Sequence, residues 1–143
     1  MGLFSRWFKG LEQDDSLTVQ MPPQQAHDQV LAALQQAGFF DFTDTGATIH
    51  AKHGQEAFVY GTVSGDISLA LVASDWSAYP ITVNVTFASA TEASTQLEVH
   101  AEYIRPITYA GAPQKGPMAD KWRQALAYAV STVRDSVTTA TPQ

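Results

Sequence analysis

The sequence has no cysteine. This absence excludes disulfide bonds, thiolate zinc sites, iron–sulfur clusters and cysteine nucleophiles. It fits a reducing compartment, so we expect a cytoplasmic protein. The chain has 143 residues, 45% of them hydrophobic, and is therefore long enough to bury its own core without a disulfide or a metal.

Positive charge is scarce as well. The formal net charge is -6, and Lys52 is the only lysine or arginine between Lys9 and Arg105. Nucleic-acid binding depends on a basic patch that replaces counterions, so we expect no nucleic-acid partner. The other cations lie near the two ends of the chain, which leaves room for a small basic patch where the ends meet.

Long apolar runs and catalytic motifs are also absent. No run of 18 apolar residues is present, and the N-terminus lacks the apolar core of a signal peptide, so no membrane-spanning helix is expected. Ser64 does not have the G-x-S-x-G spacing of a nucleophile elbow, and neither Gly111 nor Gly116 begins a phosphate-binding loop. We therefore expect neither an enzyme nor a bound cofactor.

The middle of the chain alternates apolar and polar residues. This period of two runs through 67–73, 81–87 and 97–103, with short turn-rich breaks between them. Such alternation is typical of strands with one packed face, and short breaks favour antiparallel hairpins. Residues 16–20 predict one further short strand at the start of the domain.

Helical spacing flanks this region. Apolar residues recur every three or four positions over 24–37, which Gly38 can end, and again from Met118 onward. The sequence predicts an α+β fold: an antiparallel sheet of five to six strands, preceded by a helix, with a long C-terminal helix packed on one face. Residues 1–15 would form an amphipathic N-terminal segment and acidic linker, 16–137 the domain, and 138–143 a flexible tail. The predicted contacts between the last helix and the sheet join Trp122, Leu126, Val130 and Val133 to Ile67, Leu69, Leu71, Val83, Val85, Leu97 and Val99.

This order of elements resembles the helix-grip superfamily of START and polyketide-cyclase-like domains. The resemblance lies in Leu17-Thr18-Val19 followed by Pro22-Pro23, in the sheet over 47–104, and in the helix from Met118. It implies a sheet that wraps the last helix and encloses a small apolar ligand. The segment 45–51, followed by Tyr60-Gly61, also resembles small uncharacterised bacterial domains of helix–sheet–helix type.

The first eleven residues form the most distinctive pattern. Leu3, Phe4, Trp7, Phe8 and Leu11 make one apolar stripe at helical spacing, with Arg6 and Lys9 on the other side. This pattern is typical of an interfacial anchor, although two cations add only about 1 kcal/mol each near an anionic surface. The stripe could equally pack on its own domain or on a second copy, or contact a protein partner.

Two loops carry further candidate contacts. Residues 105–117 could close over a pocket, with Arg105, Tyr109 and Lys115 touching a ligand, or could simply connect the sheet to the last helix. Trp76 and Tyr79 could form an interaction tip, because such aromatics are enriched at binding hot spots, or could plug one end of the core.

The histidines do not predict a metal site. His50 and His53 are three positions apart, which places them on opposite faces of a strand. Glu98, His100 and Glu102 share one face, where they are ordinary partners on a solvent-facing sheet. We therefore expect no metal.

The functional hypothesis from sequence is a non-enzymatic binding or assembly protein of the bacterial cytoplasm. Its N-terminal segment would contact a protein partner or the inner face of the membrane. Two alternatives are a pocket for a small apolar ligand between the sheet and the last helix, and a structural domain that self-associates. An enzyme ranks last, because no titratable groups converge by spacing.

Overall fold

The computed structural model describes residues 11–60, 73–104 and 117–138. The elements whose bounds are described are five strands, three helices and one 3-10 turn. In chain order they are β1 (Glu12–Val19), α1 (Pro23–Gln36), β2 (Phe40–Asp44), β3 (Thr48–His53), α2 (Glu56–Tyr60), the 3-10 turn (Trp76–Ala78), β4 (Ile81–Thr91), β5 (Ser94–Tyr103) and α3 (Pro117–Thr138).

The five strands make one antiparallel sheet in the order β1-β5-β4-β3-β2. The hairpin of β4 and β5 forms its centre, and the alternation predicted for these strands is confirmed: Val83, Val85, Leu97 and Val99 are all buried. The first strand of the chain pairs with β5, so β1 lies at one edge and β2 at the other. The predicted α+β class and antiparallel sheet are confirmed.

Helix α3 covers the apolar face of the sheet. The apolar positions Trp122, Leu126, Val130 and Val133 are at most 5% exposed, as their spacing predicts. The sheet residues expected to meet them on β4 and β5 belong to the same buried core. The other predicted partners, Ile67, Leu69 and Leu71, lie outside the described residues.

Helix α1 packs beside α3 on this same face. Pro22 and Pro23 lie at its start, where a missing backbone N–H costs nothing. Gly38, at a φ of 93°, ends it by allowing the N–H of Phe39 to reach the carbonyl of Leu34 at 3.0 Å. The hydroxyl of Tyr128 on α3 donates to the carbonyl of Ala37 at 3.1 Å, which joins the two helices.

Two boundary predictions were wrong. The acidic residues 12–15, predicted as a linker, belong to β1 and pair in register from Glu12 with Glu102 to Asp15 with Val99. An edge strand tolerates charge because its side chains remain near solvent, and Asp15 also accepts a hydrogen bond from Arg134 Nε at 2.9 Å. Thr138, assigned to the tail, is the last residue of α3.

The strand predicted over 67–73 falls almost entirely outside the described residues. Its last residue, Ala73, is helical rather than extended. Over the described ranges, no helix is both long and apolar enough to cross a lipid bilayer.

Candidate functional site: the open face of the sheet

The two long helices leave the opposite face of the sheet uncovered by any described element. Its side chains are half-buried or exposed, while those of the helix-covered face form the core. Successive residues of a strand point to opposite faces of the sheet. The polar residues that alternate with the apolar core residues therefore point to the open face. This open face is the candidate functional site.

A row of polar residues crosses the open face through all five strands. In register these are Asp14, His100, Asn84, His50 and Thr43. His100 Nδ1 donates to Asp14 Oδ1 at 2.6 Å, and His50 Nδ1 donates to Asn84 Oδ1 at 2.9 Å. Cross-strand hydrogen bonds of this kind fix the side chains in one arrangement.

Carboxylates surround His100. Beside its contact with Asp14, its Nε2 lies 3.4 Å from Glu12 Oε1 and 4.0 Å from Glu102 Oε2. Glu98, two residues before His100 on β5, is exposed on the same face. We call these five residues the acidic face: Glu12, Asp14, Glu98, His100 and Glu102.

The carboxylates change the titration of His100. Burial alone would lower its pKa, but the hydrogen bond to Asp14 and the charges of Glu102 and Glu12 outweigh that effect and raise the pKa above its ordinary 6.5. His100 therefore carries its proton to a higher pH than a free histidine, and when charged it neutralises part of the acidic face.

A shallow cavity of about 520 Å³ lies on this surface. Its lining includes Asp14 and Ser16 of β1, Glu98 and His100 of β5, and Asn84 of β4. Ligand pockets of this volume are usually apolar with a few polar groups, whereas this one is rich in acceptors. The cavity is therefore suited to a charged donor group rather than to an apolar ligand.

Three residues of the acidic face could hold a divalent cation. Glu12, His100 and Glu102 each offer one ligand atom, and these atoms lie within 4.8 Å of one another. The hydrogen bond from His100 Nδ1 to Asp14 leaves Nε2 facing the two glutamates, as in metal-bound histidines oriented by a carboxylate. Sequence reasoning did not bring these residues together because it placed Glu12 in a linker rather than in a strand beside His100.

The N-terminal stripe is described only at its last residue. Leu11 is 1% exposed and belongs to the core, and its carbonyl accepts a hydrogen bond from the N–H of Tyr103 at 3.1 Å. The prediction that Leu11 contacts a membrane or partner was therefore wrong, because the β1–β5 pairing carries it into the core. The other residues of that prediction lie outside the described ranges: Leu3, Phe4, Arg6, Trp7, Phe8 and Lys9.

The predicted interaction tip divides into two different environments. Tyr79 is fully buried and lies edge-on to Trp122, with ring centroids 4.9 Å apart, so of the two alternatives the interaction tip was wrong for this residue. It plugs one end of the core instead. Trp76 is half-buried and packs on Tyr128, with ring centroids 5.1 Å apart. The predicted lid contacts Arg105, Tyr109 and Lys115 lie outside the described residues.

Comparison with known proteins identifies no family. No protein-family model matches the chain, and no curated protein matches it. Among solved structures, the chain is similar to the crystal structure of a Deinococcus radiodurans protein from a structural-genomics programme. The TM-score is 0.32 and the identity 10%, over 90% of this chain and 98% of that chain. A similarity this weak carries no argument about function.

Proposed function

We propose that this chain is a non-enzymatic binding protein of the bacterial cytoplasm, and that its acidic face binds cationic side chains of a protein partner. The observation that carries the proposal is that four carboxylates lie together on an uncovered sheet face, where two of them, Asp14 and Glu98, also line the cavity. The one lysine or arginine on this face among the described residues is Lys52, and it pairs with Asp41 at 3.0 Å. The face is therefore short of positive charge.

The chemistry of the cavity favours arginine or lysine as the bound group. A guanidinium presents five N–H donors in a planar fork that matches carboxylates, and ionised pairs give stronger hydrogen bonds than neutral ones. Glu98 and Asp14 supply carboxylates, and Ser16 supplies a hydroxyl, on the wall of the cavity. The net charge of -6 would also steer a basic partner towards the protein.

The experiment compares two short labelled peptides by fluorescence anisotropy at low ionic strength. A hexa-arginine peptide is expected to bind and a hexa-glutamate peptide is not. The variant carrying Glu98→Gln and Glu102→Gln should bind hexa-arginine roughly two- to thirty-fold more weakly, because each exposed ion pair contributes about 0.2–1 kcal/mol. Both substitutions spare the residues of β1 and so leave the edge strand paired.

The matched control removes the same charge elsewhere. Glu56 and Glu92 are both exposed and lie off the acidic face, so the variant carrying Glu56→Gln and Glu92→Gln has the same net charge. It should bind hexa-arginine like the unmodified protein. Equal weakening in both variants would mean that only total charge matters, and the acidic face would then have no specific role.

The N-terminal segment supplies a second proposed contact, with a protein partner or the membrane surface. What supports it is the apolar stripe in the sequence before Leu11, with Arg6 and Lys9 on its other side. Trp7→Glu should abolish co-sedimentation with anionic liposomes, or co-purification of a partner, without changing the melting temperature. An unchanged result for the variant in both assays would remove this contact from the function.

The helix-grip resemblance supports a third reading, a small apolar ligand held between the sheet and α3. The supporting observation is that α3 packs along the apolar face of a sheet that follows a strand and a helix. A fluorescent apolar probe, 1-anilinonaphthalene-8-sulfonate, should then bind the folded protein in a saturable manner. Absence of saturable binding would exclude this reading.

A further inference from the structure

His27 occupies an unusual position on α1, away from the acidic face. The residue is only 8% exposed, yet both of its ring nitrogens contact carboxylates. Nδ1 lies 2.9 Å from Asp28 Oδ1, and Nε2 lies 2.8 Å from Asp44 Oδ2. Because ionised carboxylates only accept hydrogen bonds, both nitrogens must donate, and the ring that fits this geometry is the charged imidazolium.

Asp44 is the last residue of the edge strand β2, which is weakly held by its own ladder. The strand has five residues, and its pairing with β3 is interrupted between Phe40 and Thr43. Asp41, at a φ of 57°, lies within the interruption. The contact from His27 to Asp44 therefore connects the end of an irregular edge strand to the helix that packs on the core.

We propose that His27 and Asp44 form a pH-sensitive latch that holds β2 against α1 while the imidazole is charged and releases the strand when it is neutral. A neutral imidazole has one N–H, so it can donate to Asp28 or to Asp44 but not to both. The inference does not depend on the proposed function, since none of the latch residues belongs to the acidic face.

Two charged groups face His27 among the described residues. Asp28 comes from its own helix, where it also accepts a hydrogen bond from Gln24 at 2.9 Å, and Asp44 comes from β2. From β4 the neighbour is the uncharged ring of Phe87, edge-on at 5.6 Å. Both charged neighbours are acidic, so the surroundings favour the protonated ring.

The pKa directions agree with this geometry. Burial would lower the pKa of His27, but the hydrogen bonds to Asp28 and Asp44 outweigh it and raise the pKa above 6.5. The bond from His27, and then the N–H of Gly46, lower the pKa of Asp44 below 3.8. The latch is therefore fully closed just below pH 6.5, weakens as pH rises through the raised pKa of His27, and weakens again as acid protonates Asp44.

The test follows amide hydrogen exchange and the His27 ring by NMR between pH 5 and 9. Protection factors, which correct for intrinsic exchange, should fall at least about tenfold for the β2 amides and Thr45 above the pKa of His27, as expected for loss of one charge-assisted hydrogen bond. Protection in the central strands β4 and β5 should not show this step. His27→Gln should remove the step, leaving β2 poorly protected at every pH.

Two asparagine variants separate the latch from general charge effects. Asp44→Asn should bring the His27 pKa down towards 6.5 and abolish the β2 step, and it carries the test if the His27 variant fails to fold. Asp41→Asn removes a carboxylate from the same strand, but one that pairs with Lys52, and should leave the His27 titration unchanged. An unaltered His27 pKa in the Asp44 variant, or a β2 step that persists without His27, would overturn the latch.

Discussion

The indole of Trp122 donates a hydrogen bond from Nε1 to the carbonyl of Pro80 at 3.0 Å, which ties α3 to the start of β4. The same carbonyl accepts the backbone N–H of Ile104 at 2.9 Å, just beyond the end of β5. Three separate parts of the chain therefore meet at one oxygen. Around it, Tyr79 and Tyr103 lie edge-on to the indole, with centroids 4.9 and 5.4 Å away.

Trp122→Phe should destabilise the fold by about 1–3 kcal/mol, because it removes one hydrogen bond and leaves part of a fully buried volume unfilled. The Pro80 carbonyl would keep its bond from Ile104, so no buried acceptor is left without a partner. Urea unfolding at neutral pH measures the change. Trp76→Phe is the control, because Trp76 is half-buried, and a loss as large in that variant would contradict the role of Trp122.

Gly54 directly follows β3 and lies against the backbone of Tyr79 and Pro80, just after the 3-10 turn, at a φ of 124°. A Cβ built there would lie 2.7 Å from the carbonyl oxygen of Tyr79 and 2.9 Å from Pro80 Cα. Gly54→Ala therefore combines backbone strain with a clash against rigid backbone, and we expect a loss of about 3 kcal/mol or more.

Gly46 serves as the control, because an alanine there would introduce the backbone strain without the steric clash. It also has a positive φ, 89°, but a Cβ there would meet nothing within 4 Å. Gly46→Ala should therefore cost only the conformational penalty, about 1–2 kcal/mol. Equal losses in the two alanine variants, measured by urea unfolding, would show that the approach to Tyr79 can relax.

The sequence pattern predicted most of the fold because burial and periodicity agree over long elements. Apolar residues alternate along the strands at 81–87 and 97–103, and they recur every three or four positions along the helix that begins near residue 24. In each element these apolar residues are the more buried ones. It missed β2 because the irregularity at Asp41 breaks the alternation, and it missed α2 because five residues are too few to show a helical period.

The candidate site could not be predicted because it depends on pairing between distant segments. Glu98, His100 and Glu102 were expected on one face, but Glu12 and Asp14 join them only because β1 pairs with β5, some 86 positions along the chain. Acidic residues have low strand propensity, so the run before Ser16 read as a linker. Tertiary pairing, together with the ion pair to Arg134, outweighs that preference.

Protonation of His53 should lower the free energy of unfolding at acidic pH. The His53 ring packs against both Phe39 and Tyr128, with ring centroids 4.7 and 5.4 Å away, and no described group partners its buried Nδ1. Burial lowers the pKa of His53 below 6.5, although a hydrogen bond to the Ala37 backbone partly offsets this. The unfolded chain then binds the proton more readily, so stability falls as pH drops through 6.5 towards the lowered pKa.

His53→Phe should reduce this loss between pH 7 and pH 5, because phenylalanine fills a similar space and cannot take up a proton. Urea unfolding at several pH values provides the measurement. At pH 8 both rings are uncharged, so any difference between the proteins there reports packing alone. A variant that loses as much stability as the unmodified protein from pH 7 to pH 5 would contradict the role assigned to His53.

His100 should make cation binding by the acidic face depend on pH. When protonated, its ring lies 2.6 Å from Asp14 and 3.4 Å from Glu12, where it competes with a partner's cation for the same carboxylates. Because the carboxylates raise its pKa, this competition persists to a higher pH than for a free histidine and fades as pH rises through that pKa.

Hexa-arginine binding should therefore strengthen from pH 6 to pH 8. His100→Gln keeps a donor for Asp14 but cannot become charged, so its binding should be tighter at pH 6 and nearly independent of pH. If both proteins bind the peptide with the same pH profile, His100 does not compete with the ligand; if neither binds at any pH, the acidic face is not a cation-binding surface.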